Sequence, residues 1–416
     1  MKKAGIAITV IFALLAFVCG FGGTAGALIM TQPAGSSSAI VDFTVKSGDT
    51  TNSVAQRLQD DGLIRNALAF RLYARLKKLD RGIEPGVYKL APNMQMSAII
   101  GKLQVGQPDE IIVTVPDSLR VTQYADNITG LKNFNATNFL SIVKSGKWMD
   151  GTQVSATYWF VLPQQKNAAY ALEGYLYPDT YYFDTSADET AVIKRMIGTL
   201  GEHLCPGPTG NPDAQGEYYL DHTQCRAHAA TVNVGNKATN IFDAMDQAYF
   251  IGKTDAASDA TALYDTLIIA SLTTREINSY SDAPGVSAVY YNRYLAFLHK
   301  VTSDTAGYMG SDPSAEYARD TDSPPKDGKW WAELADSGYK IDPGSPYNTE
   351  SGANHPGLPP GPIAAANWKV VLAAASPEKS QYFYFVSDKC GKIYYGTDLN
   401  DFNQNVVPKQ NTGNCS

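Results

Sequence analysis

Apolar and polar positions divide the chain into an uncharged N-terminal run, a short stretch of regular periods and a long mixed region. From Ala4 to Met30 no charge interrupts a sequence made mostly of Ile, Val, Leu, Phe, Ala and Gly. That run is long enough to cross a bilayer's hydrocarbon layer as one helix. Lys2 and Lys3 precede it and the next positive charge is Lys46. The asymmetry predicts a single-pass anchor in the cell membrane, with a cytoplasmic N-terminus and an extracytoplasmic remainder. A cleaved signal peptide is the rival, because Ala25-Gly26-Ala27 has the small-residue pattern of a cleavage site. The run exceeds the usual signal core, which favours the uncleaved anchor. Residues 31–40, TQPAGSSSAI, read as a short Ser/Gly linker.

Residues 41–106 predict a compact β-α-α-β-α module. VDFTVKSG reads as a strand. TNSVAQRLQDDG reads as a helix capped by Asp49 or Thr50, with Val54, Ala55 and Leu58 facing inward and Gly62 ending it. LIRNALAFRLYARLKKL predicts a second helix with Leu68, Leu72, Leu76 and Leu79 near one inner face. GIEPGVYKL is a strand with a Pro-Gly turn, and MQMSAIIGKLQVG a further helix.

Residues 109–416 predict a mixed α+β domain. EIIVTVPDSLRVTQYADNI reads as a strand and then a helix. Residues 131–200 mix helices and loops, 201–240 form a polar Gly/Pro-rich surface insertion, and 305–362 read mostly as loop. QYFYFVSD and KIYYGTDL predict a hairpin. The fold class is therefore α+β: an N-terminal transmembrane helix at 1–30, a small α/β module, and a mixed α+β domain.

The helix around LIIASLTTREINSY carries the chemistry. Leu263, Leu267, Ala270, Thr274 and Ile277 form one stripe at helical spacing. Ile268 and Leu272 form a neighbouring stripe whose next member is Glu276. A carboxyl there replaces an apolar side chain, and burial raises a carboxyl's pKa, so Glu276 is a candidate general acid. The alternative is a partly exposed Glu276 paired with Arg275 or Lys300.

Composition narrows the classes. A net charge of −7 leaves no basic footprint for nucleic acid. No phosphate loop, dinucleotide fingerprint or metalloprotease motif occurs, and the five histidines form no ligand pattern, so no cofactor or metal is expected. Besides Cys19 there are Cys205, Cys225, Cys390 and Cys415. Four cysteines allow three pairings; neighbour pairing is the simplest, and export favours disulfides over a metal site.

Three segments together carry a family likeness: LEGYLYPDTYYF (172–183), ASLTTREINSY with YYNRYL and TSDTAGY (270–308), and SPYNTESGANHPGLPPGPIAAAN (345–367). In this order the chain resembles the MltG (YceG-like) family of endolytic murein transglycosylases. The resemblance makes the 41–106 unit LysM-like and implies peptidoglycan glycan strands as substrate, with a place beside membrane-bound cell-wall synthases. Glu276 occupies the position of the family's catalytic acid, where the motif reads A-S-I-V-E-K-E, and Thr274 replaces the earlier Glu. Asn292 and Arg293 match its N-R. Ser303 and Asp304 match its Q-T-D-P-T-V loosely. Glu173 and Tyr175 match L-E-G-Y, and Tyr347, Asn348 and Pro360 match the last motif. Near the C-terminus Phe402 stands where the family often has His. Glu173, Tyr175, Asn292, Arg293, Asp304, Tyr347, Asn348 and Pro360 are expected to bind substrate, with GLPPGPI as a groove wall. For Glu173 the competing reading is a structural carboxylate that pairs with Arg293 or caps a turn, and for Asn348 a turn residue; Trp330 and Trp331 are candidates to stack on sugars, with a place over the core as the competing reading. A non-catalytic glycan-binding scaffold and a water-using muramidase are the competing functions.

Overall fold

The computed structural model describes residues 32–412, except 47, 77–82, 84, 105–109, 208–216, 250–253, 335–341, 343 and 351–354. The apolar run expected to be an anchor lies outside the described residues. Among the described residues no helix is long and apolar enough to cross a membrane. The chain forms two compact units.

The first unit takes the chain up to Val113 together with Gly130–Asn133 and Thr180–Ala187. Strand β1 (Val41–Val45) runs antiparallel to β2 (Gly86–Leu90), with Val41 opposite Leu90. Between them lie α1 (Thr51–Asp60) and α2 (Ala67–Leu76), and α3 (Met96–Gln104) follows. Thr50 rather than Asp49 caps α1. Ser53 N donates to Thr50 Oγ1 at 3.2 Å, and Thr50 N to Ser53 Oγ at 3.0 Å. Asp49 instead pairs with Arg57. The expected inner face of α2 is corrected. Ala67, Phe70 and Ala74 join the core, while Leu68 and Leu72 are 57% and 55% exposed. Both sets have 3–4 spacing; the small alanines let the helix approach closely while Phe70 fills the core. The side chain of Leu76 and all of Leu79 lie outside the described residues.

Strand β3 (Glu110–Thr114) adds to β2, and a later strand completes the sheet. The unit therefore exceeds the expected 41–106 span.

The second unit is mainly helical. It begins with α4 (Val121–Asn127) and α5 (Ala136–Ser145). The chain then returns to the first unit's sheet as β4 (Thr180–Asp184), giving the order β1-β2-β3-β4. Helix α6 (Glu189–Leu204) leads into the 201–240 segment. That segment holds α7 (His222–Ala227) and the hairpin β5 (Thr231–Val234) and β6 (Lys237–Asn240). It is more than a surface insertion. Cys205 and Cys225 are disulfide-bonded and buried. Tyr219 packs so closely on Gly201 that a Cβ there would lie 2.5 Å from its ring. Cys390 is disulfide-bonded as well; Cys415, its expected partner, lies outside the described residues.

Helices α8 (Ile241–Tyr249), α9 (Ala256–Glu276), α10 (Ala283–Leu298), α11 (Asp312–Asp322) and α12 (Trp368–Ala375) make the core. The hairpin β7 (Tyr384–Ser387) and β8 (Ile393–Gly396) follows, and short helical turns over Leu399–Lys409 come after it. Helix α9 packs against α8, α10, α11 and α12. It is buried on nearly every side rather than along two stripes. Its first turn is clamped by the 201–240 segment: Arg226 Nη1 lies 2.8 and 2.6 Å from the two Asp259 oxygens, and His222 Nε2 lies 2.7 Å from Asp259 Oδ2. Helix α11 falls where loop was expected. Its sequence, DPSAEYARDTD, lacks apolar periodicity, yet Glu316, Arg319 and Asp320 are buried in it.

Candidate active site

Glu276 is the last residue of α9. Ile277 leaves the helix with φ −107° and ψ 145°. A buried helix thus delivers one carboxyl to the wall of a cleft of about 920 Å³. Arg275, Arg293, Asp304, Tyr308, Asp312, Glu316, Trp331, Glu350, Tyr384 and Phe402 line the same cleft. Glu276 forms no ion pair with Arg275 or Lys300 among the described contacts; its partner is the Tyr290 hydroxyl, which donates to Oε1 at 3.0 Å. Burial pushes the Glu276 carboxyl up to about 7. The Asp312 and Glu316 carboxylates push the same way, while Tyr290 and Arg293 oppose. Its place at the negative end of a long helix also disfavours its charge. Glu316 is raised to about 7 by burial, against Arg275 and Arg319. Glu350 is also raised, chiefly by burial.

Around this carboxyl, Arg293 braces the cleft. Its Nε donates to Phe383 O at 2.7 Å, and its Nη1 donates to Met309 O. One side chain thereby ties α10 to the start of β7 and to the loop before α11. Asp304 Oδ2 accepts from Leu399 N at 2.9 Å. Phe402 stacks on Tyr384 with ring centroids 4.9 Å apart. The Arg275 guanidinium lies 4.2 Å over the Trp331 ring. Trp330, by contrast, packs on buried Arg120 at 4.7 Å, so the tryptophan pair splits between cleft and core.

Of the residues expected to bind substrate, Arg293 and Asp304 reach the cleft with Glu276. The others do not, and each has a physical reason. Asn292 is one position from Arg293, so it points about 100° away around the helix. It donates to Tyr382 O at 2.9 Å and to Ser380 O at 3.2 Å, beside a separate cavity of about 550 Å³. Glu173 is 1% exposed and accepts from Val121 N and Tyr317 Oη, both at 3.0 Å. Its structural partner is the Arg120 neighbourhood, not Arg293. Tyr175 is buried and accepts from Leu162 N at 3.1 Å. Tyr347 is buried and accepts from Ala169 N at 3.1 Å. Asn348 holds a turn, donating to Asp342 O at 3.3 Å and accepting from Glu350 N at 3.1 Å.

Pro360 O accepts from Tyr264 Oη at 2.9 Å, and Ile363 N donates to Ser271 Oγ at 3.0 Å. The Pro360–Ile363 part of GLPPGPI therefore packs on α9 instead of forming a groove wall. Its Pro362 fits against Gly174, whose φ of +80° and 2.7 Å clearance leave no room for a Cβ. Gly357 at its start bridges to Tyr308, which lines the cleft.

The sequence reading missed Tyr290, Asp312, Glu316 and Glu350. A signal for Asp312 was present. Ser311-Asp312-Pro313-Ser314 reproduces the T-D-P-T order without a gap, better than Ser303-Asp304, and it is Asp312 and Pro313 that line the cleft beside Glu276. Among the described residues no group of three or more His, Cys, Asp or Glu is arranged to hold a metal ion.

Several carboxyls titrate above their ordinary range: Glu276 and Glu316 at about 7, Asp265 at about 6 and Glu173 at about 8, each chiefly through burial. In each case the folded state binds the proton more tightly than the unfolded state. The stability this contributes is present below the ordinary carboxyl value and is lost as pH rises through the folded value. Thermal melts at constant ionic strength are expected to give a higher Tm near pH 5 than near pH 8. A Tm that rises over that interval would contradict the burial of these carboxyls.

The sequence model of the YceG-like family matches residues 43–408. A Bacillus subtilis (strain 168) protein named endolytic murein transglycosylase is 25% identical over 371 residues, covering 88% of this chain and 83% of that protein. A Streptococcus pneumoniae serotype 2 protein of the same name is 24% identical over 384 residues; the match covers 88% of this chain and 58% of the streptococcal protein. A crystal structure of a YceG-like protein from Listeria monocytogenes aligns with a TM-score of 0.46 at 22% identity, covering 88% of this chain and 99% of that one. With the family match running from residue 43 to 408, through Glu276 and nearly all of the cleft, the chain belongs to the YceG-like family.

Proposed function

We propose that this chain is a peptidoglycan lytic transglycosylase that cuts the MurNAc–GlcNAc bond inside glycan strands. Glu276 acts first as general acid and then as base. The observation that carries this reading is the Glu276 carboxyl, delivered by the end of buried α9 to the wall of a cleft of about 920 Å³ and held at about 7 by burial. The shared name of the Bacillus and Streptococcus relatives supports the substrate class.

The chemistry needs one titrating group. Protonated Glu276 gives its proton to the glycosidic oxygen as the C1–O bond of MurNAc breaks. The resulting carboxylate takes the proton of the sugar's own C6 hydroxyl, whose oxygen closes on C1. The product is a 1,6-anhydroMurNAc end, no water is consumed, and Glu276 ends as it began. An acid with a pKa near the working pH serves both half-steps. The intramolecular nucleophile replaces the second carboxylate of an ordinary glycosidase, because orientation supplies what a second group would. Trp331, on the cleft wall, offers a flat apolar face of the kind that suits a sugar ring. In this reading the run from Ala4 to Met30 anchors the chain, cleavage takes place outside the membrane on nascent strands, and each cut ends the elongation of one strand beside the membrane-bound synthases.

The test is product analysis. The purified full chain is incubated with uncrosslinked glycan strands, and the fragments are read by mass spectrometry. Internal fragments with anhydroMurNAc ends are expected. Reducing ends would make the protein a hydrolase, and binding without cleavage would make it a scaffold.

A further inference from the structure

We propose that Tyr290 is a positioning residue for the acid: its hydroxyl holds Glu276 by one oxygen and leaves the other to carry the proton toward the substrate. The inference rests on the transglycosylase reading for its catalytic consequence, but not for its physical one.

Tyr290 sits on α10, fully buried, with its ring edge-on to Phe385 of β7 at 5.9 Å. Phenol and carboxyl meet where the end of α9 abuts the middle of α10. The hydroxyl donates to Oε1 at 3.0 Å. An oxygen that already accepts a hydrogen bond is the poorer site for the acid's own proton, so the proton resides on Oε2. When Glu276 has given up that proton, the same hydrogen bond becomes charge-assisted and strengthens. The contact therefore favours the state formed during bond cleavage over the resting acid, which is the differential stabilisation that speeds a step.

The other groups facing Glu276 are Asp312 and Glu316 from α11, Arg293 from α10 and Arg275 on its own helix. Both carboxylates of α11 resist ionisation of Glu276, and Arg293 assists it. Tyr290 is the only one of these that touches the carboxyl through a described hydrogen bond. Its buried hydroxyl is screened from bulk water, so its effect is on the acid rather than on substrate capture.

The test is Tyr290→Phe, which keeps the ring and its packing. For the hydrogen bond to an ionising group, kcat is expected to fall about 10- to 100-fold with KM little changed. Losing a donor to the carboxylate raises the carboxyl's pKa, so the basic limb of the kcat/KM profile moves to higher pH. A second readout does not need turnover. Carbodiimides modify protonated carboxyls, and labelling of Glu276, followed by mass spectrometry against pH, is expected to shift its midpoint upward in Tyr290→Phe. An unshifted midpoint in a folded variant overturns the proposal, as does a loss of activity that appears as raised KM with an unmoved limb. If wild type cleaves no glycan yet the midpoint still shifts, the transglycosylase reading has failed and the Tyr290–Glu276 coupling stands.

Discussion

Glu276→Gln is expected to reduce glycan cleavage by about 10³-fold or more while leaving the fold intact. Three features set the size of this loss. The proposed reaction uses one carboxyl twice, so its removal stops both the protonation of the leaving oxygen and the closure of the anhydro ring. The amide is nearly isosteric and its oxygen still accepts the Tyr290 hydroxyl, so packing around the end of α9 is preserved. Burial already disfavours the Glu276 charge, and a neutral amide relieves that strain at high pH. The variant is therefore expected to melt higher than wild type at pH 8 and close to it at pH 5, because the stability difference grows as the native carboxyl is forced to ionise. Activity from product analysis and Tm from calorimetry check the two halves separately. Cleavage within tenfold of wild type would move the acid elsewhere in the cleft, and Glu316, raised to about 7, is the next carboxyl to test.

The fold was legible where local chemistry decides the structure. Thr50 and Ser53 cap α1 through short-range hydrogen bonds, and Gly62, at φ +69°, ends it, so both boundaries follow from neighbours in sequence. Glu276 stood out because it interrupts an apolar pattern, and the structure places it on the cleft. Where packing between distant elements decides, the sequence was ambiguous. Leu68 and Leu72 repeat at the same spacing as Phe70 and Ala74, and only the facing core selects the inner set. Helix α11 has no apolar stripe because its burial runs through polar partners, such as Arg319 Nε to Asp320 Oδ1 at 2.8 Å. Its Pro313, in the first turn, was nonetheless a helix-start signal. The family motifs marked residues that matter without saying whether they act on substrate or hold the frame. Asn292 and Arg293 are adjacent in one motif and face different cavities.

Glu173→Ala is expected to be the most destabilising single change away from the cleft, at about 3–5 kcal/mol. The carboxyl is an internal junction. It accepts from Val121 N at the first turn of α4 and from the Tyr317 hydroxyl of α11. Arg120, fully buried, lies 4.2 Å from the Tyr317 ring centre and offsets the desolvation that raises Glu173 to about 8. Alanine leaves two buried donors without an acceptor, removes the acid group that faces the Arg120 charge, and opens a void between α4 and α11. Against a typical domain stability of about 5–15 kcal/mol, that loss brings the protein near its threshold. Glu173→Gln keeps one carbonyl oxygen for one of the donors and is expected to lose only about 1–2 kcal/mol. Chemical denaturation at fixed pH, with the m-value checked for constancy, measures both. The catalytic readout separates a structural carboxylate from a substrate ligand. Below its melting range, folded Glu173→Gln is expected to keep wild-type kcat and KM, because no atom of Glu173 reaches the cleft. A raised KM in a variant of near-normal stability would instead return Glu173 to the substrate and require the junction between α4 and α11 to open during binding.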